Sequence, residues 1–244
     1  MKRLLTVLLS LKIFLVGAVT PSIIKEKDSH ECELWVDSIY NSLSLRERIA
    51  QLIFPKVNPQ MGDNTKSRLE VLIRENHFGG LLFSQGSLEE YVTMINYAQS
   101  LAKTPLLMTF DGEWGLSMRI PETPRFPKNM ALGAGADEEM MFEYGLEMAR
   151  EAKAMGIHVN FSPVIDVNSN PLNPVIADRS FGSDPVRVGL LGTAYAKGLE
   201  EGGIQAVAKH FPGHGDTNTD SHTDFTVVDM EKSQLDSIHL HPFR

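Results

Sequence analysis

Apolar residues recur along this chain in two periods, one of 3.6 positions and one of near-continuous short runs. Leu45 to Leu52 reads as a helix capped by Ser44, with Glu47 three residues on completing a capping box. Phe78 to Ser84 is an apolar run short enough for a buried strand and ends in a polar loop. Ser87 and Glu90 repeat the capping signature, and Tyr91, Met94, Ile95 and Ala98 follow at helical spacing. A strand over Pro105 to Phe110 leads directly into Asp111-Gly112-Glu113-Trp114-Gly115. Asp137 to Met155 reads as a long helix with Met140, Met141, Tyr144, Met148 and Ala152 along one side and Gly156 as its stop. A strand over Ile157 to Phe161 then runs into Ser162-Pro163-Val164-Ile165-Asp166-Val167-Asn168. The helix Val186 to Glu200 closes at Gly202 and Gly203, the strand Ile204 to Lys209 follows, and Met230 to Leu240 starts a further helical segment.

Strands alternating with helices, each strand apolar on both faces, imply an α/β fold with a parallel sheet covered by helices. An eight-stranded (β/α)8 barrel of the TIM type and an open doubly wound sheet both satisfy that alternation. Polar, Gly-rich and Asp-rich segments follow several successive strands, as in a barrel whose site is assembled from loops at the strand C-termini. A doubly wound sheet gathers its site at one switch point instead. No Gly-rich dinucleotide fingerprint, Walker sequence or solenoid repeat is present. A complete barrel takes ~250 residues, whereas about five strand-helix units are legible here. The expected barrel is therefore incomplete, a fragment ending within or just after a helix at His241-Pro242-Phe243-Arg244. Such a fragment would carry an exposed sheet edge and half a core.

Composition narrows the picture further. Of the 244 residues, 42% are hydrophobic and 22% charged, which is globular usage. With 23 basic against 31 acidic side chains the net charge is -8, so a nucleic-acid partner is not expected. The single cysteine, Cys32, forms no internal disulfide pair. Met1, Lys2 and Arg3 precede an apolar run from Leu4 to Val19 interrupted by Ser10 and Lys12, with Gly17 and Ala18 near its end. This reads as a secretory signal peptide over residues 1–20, followed by a linker or mature N-terminus over 21–33 and the partial barrel over 34–244. The run is shorter than the ~20 apolar residues of a membrane span, so a periplasmic or secreted location and no stable membrane anchor are expected.

The densest chemistry lies in Lys209-His210-Phe211-Pro212-Gly213-His214-Gly215-Asp216 and Asp220-Ser221-His222. A metal centre on His210, His214, Asp216 and His222 is disfavoured, because Pro212 and Gly213 prevent the helix that would align the first two. No metal or organic cofactor is expected. Asp220 and His222 fit a second reading, in which the carboxylate fixes the imidazole's tautomer and the ring donates and recovers a proton. A solvated turn would account for the same two residues.

The run Lys209 to Asp216 with Asp220-Ser221-His222 resembles the signature of glycoside hydrolase family 3, in its bacterial β-N-acetylhexosaminidase branch. Asp111-Gly112-Glu113-Trp114-Gly115 with Arg119, Asn160 to Val167, and Asp178-Arg179-Ser180-Phe181-Gly182 extend the resemblance over most of the chain from about residue 35. The resemblance implies a TIM-like catalytic barrel that cleaves β-glycosidic bonds with net retention. It implies that Asp111, Arg119, Arg179, Lys209 and His210 contact the substrate, although either arginine is also a candidate structural ion-pair partner. It further implies that His222 is the general acid/base and Asp220 its orienting partner. Gly213, His214 and Asp216 are expected to shape or brace the loop, and Trp114 to stack on a sugar or pack. The implied partner is a β-linked amino-sugar oligosaccharide or muropeptide. The family's nucleophilic aspartate belongs to a later strand, beyond Arg244, so the 244-residue chain is expected to be inactive alone. A β-glucosidase or β-xylosidase and a non-catalytic carbohydrate-binding cell-wall protein are the alternatives.

Overall fold

The computed structural model describes residues 30–244, so the expected signal peptide and residues 21–29 of the expected linker lie outside the described residues. Helix α1 (His30–Ser42) takes in the end of that linker and buries none of its residues. Ser44 then caps α2 (Leu45–Ala50), with the Glu47 carboxylate accepting from the Ser44 amide at 2.8 Å. Strand β1 (Lys56–Val57), helix α3 (Asp63–Glu70) and a π-helical turn over Val71–Glu75 complete the first unit. Sequence reading passed over β1 and α3, since a two-residue strand and a mostly polar helix carry little apolar periodicity.

Strand β2 (Gly80–Phe83) and helix α4 (Leu88–Leu101) match the predicted pair. At the α4 N-terminus the Ser87 hydroxyl accepts from the Glu90 amide at 3.2 Å and the Glu90 carboxylate accepts from the Ser87 amide at 2.8 Å. Tyr91, Met94, Ile95 and Ala98 are buried on the inner face of α4. Ser87→Ala removes one of these two bonds and is expected to cost about 1 kcal/mol of stability. Urea denaturation checks this, and an unshifted midpoint would show that the helix start is held by packing alone.

Strand β3 (Leu107–Phe110) and helices α5 (Asn129–Gly135) and α6 (Glu138–Ala154) follow. Asp137 caps α6, and its buried face carries Met141, Tyr144, Met148 and Ala152 as the periodicity predicts. Met140, predicted on the same side, is 55% exposed. One residue away from Met141 means a rotation of ~100° around the helix, and only Met141 meets the core. Strand β4 (Val159–Asn160), helix α7 (Pro185–Glu201) and strand β5 (Gln205–Ala206) close the regular alternation. Helices α6 and α7 approach at paired glycines, where a Cβ on Gly145 would stand 2.4 Å from the Tyr195 carbonyl oxygen. A short helix α8 (Lys232–Gln234), continued by a π-helical turn over Leu235–His239, packs back near α7.

The five strands are parallel and lie in the order β1-β2-β3-β4-β5. Each crossover advances one strand in the same direction, which is the winding of a barrel, whereas a doubly wound sheet reverses at its switch point. Leu81, Phe83, Met108 and Phe110 join the inner faces of the helices in one apolar core. The C-terminal ends of β3, β4 and β5 therefore lie side by side, and the loops leaving them meet.

Candidate active site

Two buried carboxylates organise the loops at these strand ends. The first is Glu113, three residues beyond β3 and fully enclosed. Arg179 donates to it twice, Nε to Oε2 at 2.8 Å and Nη2 to Oε1 at 2.7 Å, in the fork geometry that suits guanidinium and carboxylate. Lys209 Nζ lies 2.8 Å from Glu113 Oε1 and 2.5 Å from Asp111 Oδ1, bridging the two acids. Burial pushes the Glu113 carboxyl up, but the Arg179 hydrogen bonds and the charges of Lys209 and Arg179 outweigh it and hold the group at about 2. Asp111 also accepts from Arg119, whose Nη2 is 2.7 Å from Oδ2. Asp111 and Arg119 retain side-chain exposures of 29% and 27%, so both remain reachable from solvent.

The second carboxylate is Asp166, fully buried in the loop after β4. Its Oδ2 lies 2.6 Å from His210 Nδ1, and its Oδ1 accepts from the His214 amide at 2.7 Å. His210 Nε2 in turn faces Arg179 Nη2 at 3.3 Å, which joins the two carboxylate clusters into one network. Asn160, at the end of β4, locks the Asp111 loop by accepting from the Gly112 amide at 3.0 Å and donating to its carbonyl at 3.2 Å.

The loop after β5 is anchored from below. Gly213 sits at φ 123°, and a Cβ there would stand 2.6 Å from the His239 Cβ, so both backbone and space require glycine. His214 Nδ1 lies 2.5 Å from Thr217 Oγ1 and its Nε2 2.9 Å from Ser221 Oγ. Asp216 accepts from the Ser169 hydroxyl at 3.3 Å. Buried His239 also touches Ser169, and desolvation lowers its affinity for a proton despite the nearby charges of Asp216 and Asp166. Further out, His222 Nδ1 is 2.6 Å from Asp220 Oδ1, which also accepts from the His222 amide at 2.9 Å. The amide bond first and the ring second hold the Asp220 carboxyl below its usual range. The His222 side chain is 71% exposed. Trp114 is half-buried, with the Lys128 ammonium 5.2 Å from its ring centroid.

Asp111, Arg119, Arg179, Lys209 and His210 are thus brought into one connected cluster. Asp220 and His222 form a separate couple on the outer loop, and both arginines are engaged in ion pairs. His210 and His214 share Asp166, while Asp216 turns to Ser169 and His222 to Asp220.

Sequence reading gave no role to Glu113, Asp166, Asn173, Thr217 or Ser221. For Asp166 a signal was available: an acid inside the apolar run Val164-Ile165-Asp166-Val167 must be paired once the strand end is buried. Asn173 had no comparable signal, because its bonds to His214 O and Thr217 Oγ1 span 41 and 44 positions.

The family model described as "Glycosyl hydrolase family 3 N terminal domain" matches residues 44–244. The chain belongs to glycoside hydrolase family 3. Within that family it matches the β-N-acetylhexosaminidase branch. It is 36% identical over 186 residues to "Beta-hexosaminidase A" of Pseudoalteromonas piscicida, covering 71% of this chain and 31% of that protein. The solved family 3 β-N-acetylglucosaminidase from Paenibacillus sp. superposes with a TM-score of 0.76 at 34% identity, covering 83% of this chain and 39% of the other. The β-glucoside phosphorylase BglX, solved with 2FGlc, superposes with a TM-score of 0.81 at 26% identity, covering 91% of this chain and 40% of the other. The chain therefore spans between 31% and 40% of the length of these three family 3 proteins.

Proposed function

We infer that the protein carrying this chain removes terminal β-linked N-acetylglucosamine from peptidoglycan or chitin-derived saccharides by a retaining displacement. The observation that carries this reading is the Asp220–His222 couple. With Nδ1 held 2.6 Å from the Asp220 carboxylate, His222 is left with Nε2 as the nitrogen that exchanges a proton with a substrate. In the first step protonated His222 donates from Nε2 to the glycosidic oxygen while a carboxylate attacks the anomeric carbon and the aglycone leaves. In the second, neutral His222 takes a proton from water, the water oxygen bonds to the anomeric carbon, and the carboxylate departs. An imidazole thus takes the acid-then-base role that a second carboxyl group fills in most retaining glycosidases. The attacking carboxylate is assigned to no residue of this chain.

Asp111 is proposed to accept hydrogen bonds from sugar hydroxyls, with Arg119, Lys209, His210 and Arg179 lining the same pocket. What supports this is the half-open position of Asp111 and Arg119 above the Glu113 pair. Trp114, Gly213, His214 and Asp216 are proposed to shape the loops around it. A periplasmic or secreted location is supported by the basic and apolar start of the sequence. Among the described residues no helix is long and apolar enough to cross a membrane.

The test compares aryl β-N-acetylglucosaminide with aryl β-glucoside turnover by the protein that carries this chain. Selectivity for the N-acetyl sugar is expected. Preference for the glucoside would favour a β-glucosidase, and no turnover by the folded protein would favour a carbohydrate-binding role. A second reading, phosphorolysis, is favoured by the likeness to a solved β-glucoside phosphorylase. A neutral imidazole in place of a carboxylate would not repel an incoming phosphate dianion. Running the same assay with inorganic phosphate separates the two, since phosphorolysis yields the sugar 1-phosphate in place of the free sugar.

A further inference from the structure

His214 is held at its backbone amide and at both ring nitrogens by the loops around it. The Thr217 hydroxyl lies 3.0 Å from the His214 carbonyl oxygen and 2.5 Å from its Nδ1, and its single hydrogen can go to either. Asn173 Nδ2 spans the same two groups, donating to the His214 carbonyl at 2.7 Å and to Thr217 Oγ1 at 3.2 Å. Whichever ring nitrogen carries the hydrogen, His214 Nε2 bonds to the Ser221 hydroxyl 2.9 Å away, which donates to a bare nitrogen and accepts from a protonated one. Asn173 is itself buried and fixed, its Oδ1 accepting from the Val175 and Ile176 amides at 2.9 and 2.7 Å. The His214 amide is held by buried Asp166. A rigid chain of bonds thus runs from the strand-end network outward to Ser221 and stops there.

Ser221 stands between Asp220 and His222, and both are on the surface side of that chain. We propose that Ser221 is a positioning residue whose hydroxyl, hydrogen-bonded to His214 Nε2, pins the loop carrying Asp220 and His222 against the strand-end network. This rests on the acid/base reading of His222 given above. In this proposal Ser221 acts through His214 and the loop, and not on the substrate or the reacting atoms. It limits the loop positions open to a side chain that is otherwise exposed, so that the proton donor is present when the glycosidic bond stretches.

The decisive comparison uses two leaving groups. A 2,4-dinitrophenolate departs without protonation, whereas the methanol of a methyl glycoside needs the acid. In the protein that carries this chain, Ser221→Ala is expected to lower kcat/KM for methyl β-N-acetylglucosaminide about fivefold, the worth of one ordinary hydrogen bond. The loss should shrink below twofold for the dinitrophenyl glycoside, and Ser221→Thr, which keeps the hydroxyl, should restore the first value. Equal losses on both substrates would mean that Ser221 supports the fold generally and would overturn the proposal.

A second measurement is independent of turnover. In the protein that carries this chain, nitrogen NMR with selective labelling should find that Ser221→Ala shifts His214 Nε2 and lowers the amide order parameters of residues 220–224. An unshifted Nε2, or an unchanged loop in the variant, would also overturn it. Absence of wild-type turnover would count against the hexosaminidase reading, and the NMR comparison would still decide the role of Ser221.

Discussion

Replacing Glu113 by Gln is expected to cost the folded chain about 3–5 kcal/mol, the usual penalty for breaking a buried ion pair from one side. Glutamine preserves the volume but supplies one amide oxygen where Arg179 and Lys209 now find a full carboxylate. Lys209 keeps Asp111 at 2.5 Å, so the larger share of the loss falls on Arg179. That guanidinium would retain the Val175 carbonyl at 3.0 Å and the His210 ring nitrogen and, among the described residues, no carboxylate directly bonded to it. Urea denaturation measures the cost. A loss below about 1 kcal/mol would show that both cations relax toward water when the charge is removed.

The same group sets a pH dependence with a definite sign. Its folded value of about 2 lies below the ordinary 4.5, so the stabilisation is complete above pH 4.5 and is lost as the pH falls toward 2. That displacement corresponds to roughly 3 kcal/mol, in the range expected for the substitution. Stability measured between pH 5 and pH 2 should fall steeply in the native chain and less steeply in Glu113→Gln. Parallel curves would assign the acid sensitivity to other carboxylates.

Replacing His222 by Ala is expected to reduce turnover of an unactivated β-N-acetylglucosaminide by about 10²–10⁴-fold in the protein that carries this chain. Stability should change little, because the side chain is 71% exposed and, among the described residues, bonds to its neighbour Asp220. KM should move far less than kcat, since the ring acts on the bond being broken and not on the bound hydroxyls. Asp220→Asn should follow in the same direction with a smaller loss, because it leaves the imidazole in place but without the carboxylate that orients it. A variant at His222 with kcat intact would remove the residue from the chemistry and return the couple to a solvated turn.

Much of this protein was legible without coordinates. The capping boxes at Ser44 and Ser87, the buried face of α6 around Met141, Tyr144 and Met148, and four of the five parallel strands follow from local spacing. Those signals are local because a cap spans three residues and a helix face repeats within four, so no distant partner is needed to read them. The candidate chemistry was visible as residue types, since Lys209 to His222 concentrates histidine, lysine and aspartate around glycines in one short segment.

Tertiary structure alone decided how those groups are paired. Glu113 meets Arg179 across 66 positions, Asp111 meets Lys209 across 98, and Asp166 meets His210 across 44. Each pair exists because parallel winding brings the ends of β3, β4 and β5 together. It persists because a carboxylate taken out of water needs a cation or a donor at hydrogen-bond distance. A one-dimensional pattern shows that a charge must be satisfied. The partner is chosen by which strand ends become neighbours, and that is a property of the folded sheet.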